Sequence, residues 1–354
     1  MHYKGTHYRT VWWEKGTVRL INQPLLPFRF EIAESATYAE TADHIRNMTV
    51  RGAPAIGSAA AYAMAQAAQN GGMAEAEAAE AVLKNTRPTA RDLFTAVDNV
   101  KQALKDSPPE NCAETALKSA QAFADSSAEQ CRKIGEHGNR FIKDGMNILT
   151  HCNAGWLACV DWGTALAPVY AACEQGKKIF VFVDETRPRC QGGRLTAWEL
   201  YNENISHAVI ADNAAGFYMA EGSIDMVITG ADRIALNGDA ANKIGTLEKA
   251  ICAKHYDIPF YIAAPYTTFD AEAVTGEDIQ IEERNGEEVS RMPGITDTDE
   301  RVSVSITNPG SPVKNPAFDV TPAELITGYI TPHGIIKASR IRNIQDEKDN
   351  GVIE

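Results

Sequence analysis

Asn147-Ile-Leu-Thr-His-Cys152-Asn-Ala-Gly155 is a short apolar run that breaks into a turn of small residues. Met226-Val-Ile-Thr-Gly230-Ala-Asp232-Arg233 repeats the arrangement further along the chain. Each reads as a buried strand ending in a turn that opens a helix. Similar strands are predicted at 178–183, 207–211 and 258–263, alternating with helices at 154–175, 195–204, 214–221 and 242–256. Repeated strand–helix units of this spacing imply an α/β fold with a parallel, Rossmann-like sheet and helices on both faces. Open sheets of this kind bind ligands outside the carboxyl ends of their strands. The Cys152 thiol and the Asp232 carboxylate are thus delivered to one edge of one sheet.

The region before this pattern has a different period. Val18 to Gln23 alternates like a strand and stops at Leu25-Leu-Pro27. Helical spacing follows at Thr41 to Asn47, Ala55 to Gln69, Glu75 to Lys84, Thr89 to Lys105 and Ala113 to Phe141. The expected organisation is a smaller, mostly helical N-terminal domain over 1–130 and a Rossmann-like catalytic domain over 131–354. Glu272 to Arg291 is acidic and polar, and reads as a surface excursion.

Composition narrows the function classes. The chain has 354 residues, is 44% hydrophobic and carries a formal charge of −13. That length accommodates two domains. The acidic balance argues against nucleic acid as a partner, because phosphate backbones need basic patches. The seven cysteines have no CxxC spacing, and no HExxH motif is present, so no structural zinc is expected. No segment reaches the roughly 18 apolar residues of a membrane span, and the N-terminus lacks a secretory apolar stretch. A soluble cytoplasmic protein with reduced thiols is the expectation.

Several segments carry candidate chemistry. Arg51-Gly52-Ala53-Pro54 precedes a helix, where backbone N–H groups and an arginine can bind an anion; the alternative is a surface loop. Arg87-Pro88-Thr89 places a second arginine at another helix start. Asp184 to Arg194 holds three arginines, Gln191 and two glycines after a strand, either a phosphate-and-sugar loop or a solvated turn. Asn242 and Lys243 are placed at the start of the 242–256 helix, where a lysine opposes the macrodipole and so points to a bound anion. Asp232 is a candidate general acid/base, with helix capping as its rival. Cys152 beside a helix start is a candidate thiolate, with a buried structural thiol as its rival. His151 alternates with Cys152 and is expected to face away from it.

Taken together these segments resemble the methylthioribose-1-phosphate isomerases, a family grouped with regulatory subunits of the guanine nucleotide exchange factor of translation initiation. The resemblance runs through Arg51 to Gly57, His151 to Gly155, Asp184 to Leu195, Gly230 to Lys249, Ala263 to Asp270, Ile281 to Arg284 and Asn315 to Pro322. It implies catalytic roles for Cys152 and Asp232. It implies phosphosugar binding by Arg51, Gly52, Ala53, Arg87, Gln191, Asn242 and Lys243. It also implies a homodimer in methionine salvage, acting on a sugar phosphate without metal or organic cofactor.

Three readings follow. The first is an aldose–ketose isomerase of 5-methylthioribose 1-phosphate. The second keeps the reaction with 5-deoxyribose 1-phosphate or ribose 1,5-bisphosphate. The third is a non-enzymatic subunit that senses a sugar phosphate or nucleotide, which would need neither Cys152 nor Asp232. Trp156 stands where the family usually has a small residue. If it lines the site it narrows the cavity and favours an apolar 5′ end; the alternative is that it faces the core of its helix.

Overall fold

A computed structural model describes residues 1–87 and 90–337. Pro88 and Thr89, where a helix start is predicted, lie outside the described residues, as does 338–354.

The apolar runs form the main sheet. Asn147–Thr150, Phe180–Asp184, His207–Ile210, Met226–Thr229, Phe260–Ala263, Gly328–Thr331 and Gly334–Lys337 are its strands. The first strand in sequence, Asn147–Thr150, lies in the interior. It pairs in parallel with Phe180–Asp184 on one side and with Met226–Thr229 on the other. The chain builds outward through His207–Ile210, crosses back to Met226–Thr229, and builds outward the other way. Within this sheet only the edge strand Gly334–Lys337 is antiparallel. The strand order therefore reverses between Asn147–Thr150 and Met226–Thr229. Successive loops diverge there and leave a crevice at the strands' carboxyl ends.

The N-terminal part is helical, as expected, around a small antiparallel sheet of Val11–Glu14, Thr17–Ile21 and Ile32–Ser35. The two predicted helices between 55 and 84 are one element, Ala53–Lys84, broken at Gly71 and Gly72. Every residue from Ala55 to Ala68 is buried. The alanines let Arg91–Lys105 and Cys112–Gly138 pack closely around this helix. Its N-terminus, at Ala53, lies against the turn at Trp156–Ala158 that follows the Asn147–Thr150 strand.

Two predicted helices are corrected. Residues 154–175 are mostly irregular, with a single 3-10 turn at Trp156–Ala158 and a helix only at Ala167–Glu174. Left-handed Trp162 and Gly163, φ 64° and 78°, interrupt it. The helix predicted to begin at 242 begins at Thr246, after left-handed Gly245. Ala240–Lys243 is instead a strand, paired with Arg233–Ile234 across the Asn237-Gly238 turn and with Phe318–Thr321. An Asn-Gly pair between short apolar runs is a hairpin signal, and it outranks the helical period here.

Candidate active site

The crevice holds a cavity of about 140 Å³. Cys152, Asp232, Arg51, Gly52, Ala53, Arg87, Gln191, Asn242 and Lys243 all line it. Residues as distant in sequence as Arg51 and Lys243 thus meet at the switch point of the sheet.

Cys152 follows the Asn147–Thr150 strand in a left-handed conformation, φ 67°. A cysteine tolerates that conformation only when its surroundings impose it. Its N–H donates to Thr186 Oγ1 at 2.8 Å, and its carbonyl accepts from Thr196 Oγ1 at 2.7 Å. Thr186 is itself held by its N–H to Asp212 Oδ1 at 2.6 Å. The α-helix expected to open directly after Cys152 in the chain is absent, and the next one starts at Ala167; the helix N-terminus that shares its cavity is that of Ala53–Lys84. Burial pushes the thiol up, while the Arg51 and Lys243 charges oppose that shift. His151 forms no dyad with Cys152: its Nε2 donates to Ile244 O at 2.9 Å and its Nδ1 lies 2.8 Å from Asp184.

Asp232 stands in the cavity wall with its side chain open to the cavity. Desolvation raises its carboxyl; Lys243, Arg51, Arg284 and Arg87, in that order, oppose this. Its opening to the cavity gives the carboxyl access to water, so the rise is moderated by solvent.

Arg51 grips the Cys152 turn. Its Nη1 donates to Asn153 Oδ1 at 2.6 Å and its Nη2 to Asn153 O at 2.9 Å. Asn153 in turn donates through Nδ2 to the buried Glu199 at 2.8 Å. Glu199 also accepts from Trp156 N, Leu157 N and Tyr170 Oη, at 2.8, 3.2 and 2.7 Å. Gly155 leaves room for that carboxylate: a Cβ there would lie 1.8 Å from Glu199 Oε2. Glu199 was not legible as a site residue, since it lies in the middle of a helical run.

Gly52 caps the Ala53–Lys84 helix at φ 86°, and a Cβ would meet Ala158 O at 2.2 Å. Gly52→Ala should therefore cost more than about 2 kcal/mol in denaturant unfolding and raise KM. A variant that melts and binds like the wild type would contradict this placement.

Gln191 is buried with Oε1 unpartnered, and Arg87 Nη1 is likewise buried without a partner. Asn242 Nδ2 donates to Thr246 Oγ1 at 2.9 Å; Lys243 Nζ donates to Ala317 O at 2.8 Å and stands over the Phe318 ring. Lys243 faces the cavity from a strand, not a helix terminus, so the macrodipole argument for it falls. The arginine-rich loop is largely structural. Arg187 bonds Pro188 O and Val289 O, Arg189 pairs with Glu288, and Arg194 bonds Pro24 O and Leu26 O. Gln191 alone of that loop lines the cavity.

Trp156 is fully buried among core residues and tilts against Trp198, 5.9 Å away; it does not line the cavity. The apolar wall is made instead by Met48, Ile56, Ala90, Ile279 and Ile281. The predicted surface excursion is corrected too, because Ile279 to Glu282 and Arg284 form part of the cavity. His151, Asp184 and Asp212 bring ligand-type atoms within 4.8 Å of one another. Both His151 nitrogens are engaged as described, and Asp212 accepts from the Thr186 and Arg187 N–H groups. This cluster acts here as a hydrogen-bond network.

Residues 49–338 match the Initiation factor 2 subunit family, IF-2B. A methylthioribose-1-phosphate isomerase of Methylorubrum extorquens is 48% identical over 350 residues, covering 96% of each chain. The crystal structure of 5-methylthioribose 1-phosphate isomerase from Pyrococcus horikoshii OT3 superposes with TM-score 0.87 at 40% identity, over 97% of this chain and 96% of that one. A structure described as translation initiation factor eIF-2B, subunit delta, from A. fulgidus has TM-score 0.83 and 42% identity, covering 94% and 96%. The chain belongs to the initiation factor 2 subunit family and, within it, to the methylthioribose-1-phosphate isomerases.

Proposed function

We propose that this chain is an aldose–ketose isomerase that converts 5-methylthioribose 1-phosphate into 5-methylthioribulose 1-phosphate in methionine salvage. The observation that carries the reading is the meeting of Cys152 and Asp232 in one cavity with Arg51, Arg87 and Lys243. The substrate is a locked hemiacetal, so its ring must open first. Asp232 gives a proton to the ring oxygen as the bond from that oxygen to C1 breaks. Cys152, as thiolate, takes the C2 proton and returns it at C1. The C2 hydroxyl proton passes to the Asp232 carboxylate, which restores the starting charge. Arg51, Arg87, Gln191 and Lys243 hold the phosphate with the backbone of Gly52 and Ala53, while Asn242 helps to orient the sugar.

The buried thiol favours a second route for the hydrogen. There it moves with its electron pair from C2 to C1, and Cys152 shields the cavity without ionising. Substrate deuterated at C2 separates the routes: label appearing in water supports proton transfer. Complete retention together with an unchanged rate in Cys152→Ser supports the hydride route.

Met48, Ile56, Ile279 and Ile281 suit an apolar 5′ end and replace Trp156 in that argument. We therefore rank methylthioribose 1-phosphate first, 5-deoxyribose 1-phosphate second and ribose 1,5-bisphosphate third. Formation of the ketose from each sugar, read as kcat/KM, tests the order. A preference for the bisphosphate above about tenfold, roughly 1.4 kcal/mol in transition-state binding, overturns it. No turnover of any of the three would favour the sensor reading.

A homodimer in the cytoplasm is part of this proposal. No helix among the described residues is long and apolar enough to cross a membrane. The division at 130/131 is also proposed. It rests on separate cores: one runs from Val11 to Ala128 with Val160, and others lie mainly beyond Ile134. The helix Cys112–Gly138 runs across that point and joins the two.

A further inference from the structure

Arg284 lies on the segment that sequence reading places at the surface, yet its side chain is only 9% exposed and lines the cavity. Its backbone is fastened on both sides: Arg284 N–H donates to Asn315 O at 2.9 Å, and Ala317 N–H donates to Glu282 O at 2.8 Å. That stitching sets its guanidinium carbon 5.4 Å from the centre of the Phe318 ring. The Lys243 ammonium stands 4.4 Å from the centre of the same ring. Phe318 is the strand partner of Lys243, so ring and both cations form one rigid platform.

Two like charges share this platform, and a third faces it. After burial, the neighbour that most disfavours the charge of Arg87 is Arg284. Arg87 Nη1 is buried without a partner. Arg284 Nε lies 3.2 Å from Glu282 Oε1 but is not aligned for a hydrogen bond with it. Arg284 Nη2 does donate to Glu282, 3.2 Å from its Oε2. Guanidiniums gathered in this way with unused donors are complementary to a multivalent anion.

We propose that Arg284 and Arg87 form a two-guanidinium clamp on the substrate phosphate, closing across the cleft between the N-terminal helices and the main sheet. The clamp rests on the sugar-phosphate reading above. Arg284 is thus a phosphate-binding residue beyond those carried by the family resemblance. Glu282 holds its guanidinium in place while the site is empty and competes with the arriving anion.

The test uses the full chain and two readouts. Isothermal titration with inorganic phosphate gives Kd, and turnover of methylthioribose 1-phosphate gives KM and kcat. Arg284→Ala should raise both Kd and KM by at least about tenfold, with a much smaller change in kcat, as the loss of charge-assisted hydrogen bonds implies. Arg284→Lys should recover part of the loss, since it keeps the charge but not the fork. Glu282→Gln should tighten phosphate binding by about threefold, a gain that a merely structural role would not produce. Unchanged phosphate affinity in a folded Arg284→Ala overturns the clamp, as does a fall in kcat with KM and Kd constant. If Arg284→Ala fails to fold, unaltered Kd in both Arg284→Lys and Glu282→Gln overturns it instead. A wild type that binds phosphate in an Arg284-dependent way but turns over no sugar leaves the clamp standing and removes the isomerase reading. A wild type that turns over the sugar, with KM insensitive to Arg284, does the reverse.

Discussion

Cys152→Ser and Asp232→Asn should each lower kcat by about 10²–10⁴-fold while leaving the fold intact. Both side chains line the cavity, and both substitutions nearly preserve shape. Serine keeps a small group on the left-handed turn that Thr186 and Thr196 hold, but its hydroxyl is a far weaker acid than a thiol. Asparagine keeps the size of Asp232 and the same backbone N–H to Ala241 O at 2.9 Å, but it has no proton to give to a ring oxygen. The sign of the pH dependence follows from the raised carboxyl. A group that acts as an acid loses rate as pH rises through its folded pKa, and for Asp232 burial moves that point above the ordinary 3.8. Steady-state kinetics with circular dichroism and melting curves decide the matter. A folded Cys152→Ser enzyme that keeps most of its kcat would reduce Cys152 to a packing residue.

Glu199→Ala should destabilise the protein by roughly 3–5 kcal/mol and raise KM by about tenfold. Its buried carboxylate accepts from Asn153, Trp156, Leu157 and Tyr170; truncation leaves the Trp156 and Leu157 N–H groups and the Tyr170 hydroxyl without that acceptor, and leaves Asn153 Nδ2 with Thr196 Oγ1 alone. Asn153 then loses the shorter of its two anchors, which loosens the seat of Arg51 and explains an effect on binding from a residue that does not line the cavity. The pH dependence has a definite sign. Burial, opposed by those donors, raises the carboxyl from 4.5 to about 7. A carboxyl that holds its proton more tightly when folded contributes full stability below 4.5, and that contribution is lost as pH rises to about 7. At 1.36 kcal/mol per pH unit this amounts to about 3 kcal/mol across the window. Glu199→Gln cannot titrate. Relative to it, the wild type should lose melting temperature between pH values of about 5 and about 7.5. A difference between the two that stays constant with pH would show that Glu199 does not titrate in this range.

Local pattern made much of the architecture legible. Apolar runs broken by Gly155 and Gly230 become parallel strands because a strand buried on both faces needs little more than length, apolarity and a stop. The same pattern put Cys152 and Asp232 at strand ends, and the alanine-rich stretch after Gly52 could form little other than a buried helix. Motif resemblance then drew Arg87 and Gln191, which spacing alone leaves ambiguous, to the same cavity.

Tertiary structure decided what depends on distant partners. The Asn237-Gly238 turn is a local sign of the hairpin, but Asn242 and Lys243 are held in the strand by Asp319 and Phe318, distant partners that the helical period of the stretch does not reveal. Trp156 faces the core because Trp198 and neighbouring apolar groups are there to receive it. Arg284 enters the cavity because residues 315–317 fasten its backbone. The sequence by itself determined the strand–helix alternation, the helical N-terminal region and the placing of Cys152 and Asp232 at strand ends, since these follow from short-range periodicity and turn chemistry. The reversal of strand order between Asn147–Thr150 and Met226–Thr229, which turns those side chains toward one crevice with Arg51, Arg87, Lys243 and Arg284 around it, was settled only by long-range pairing and packing.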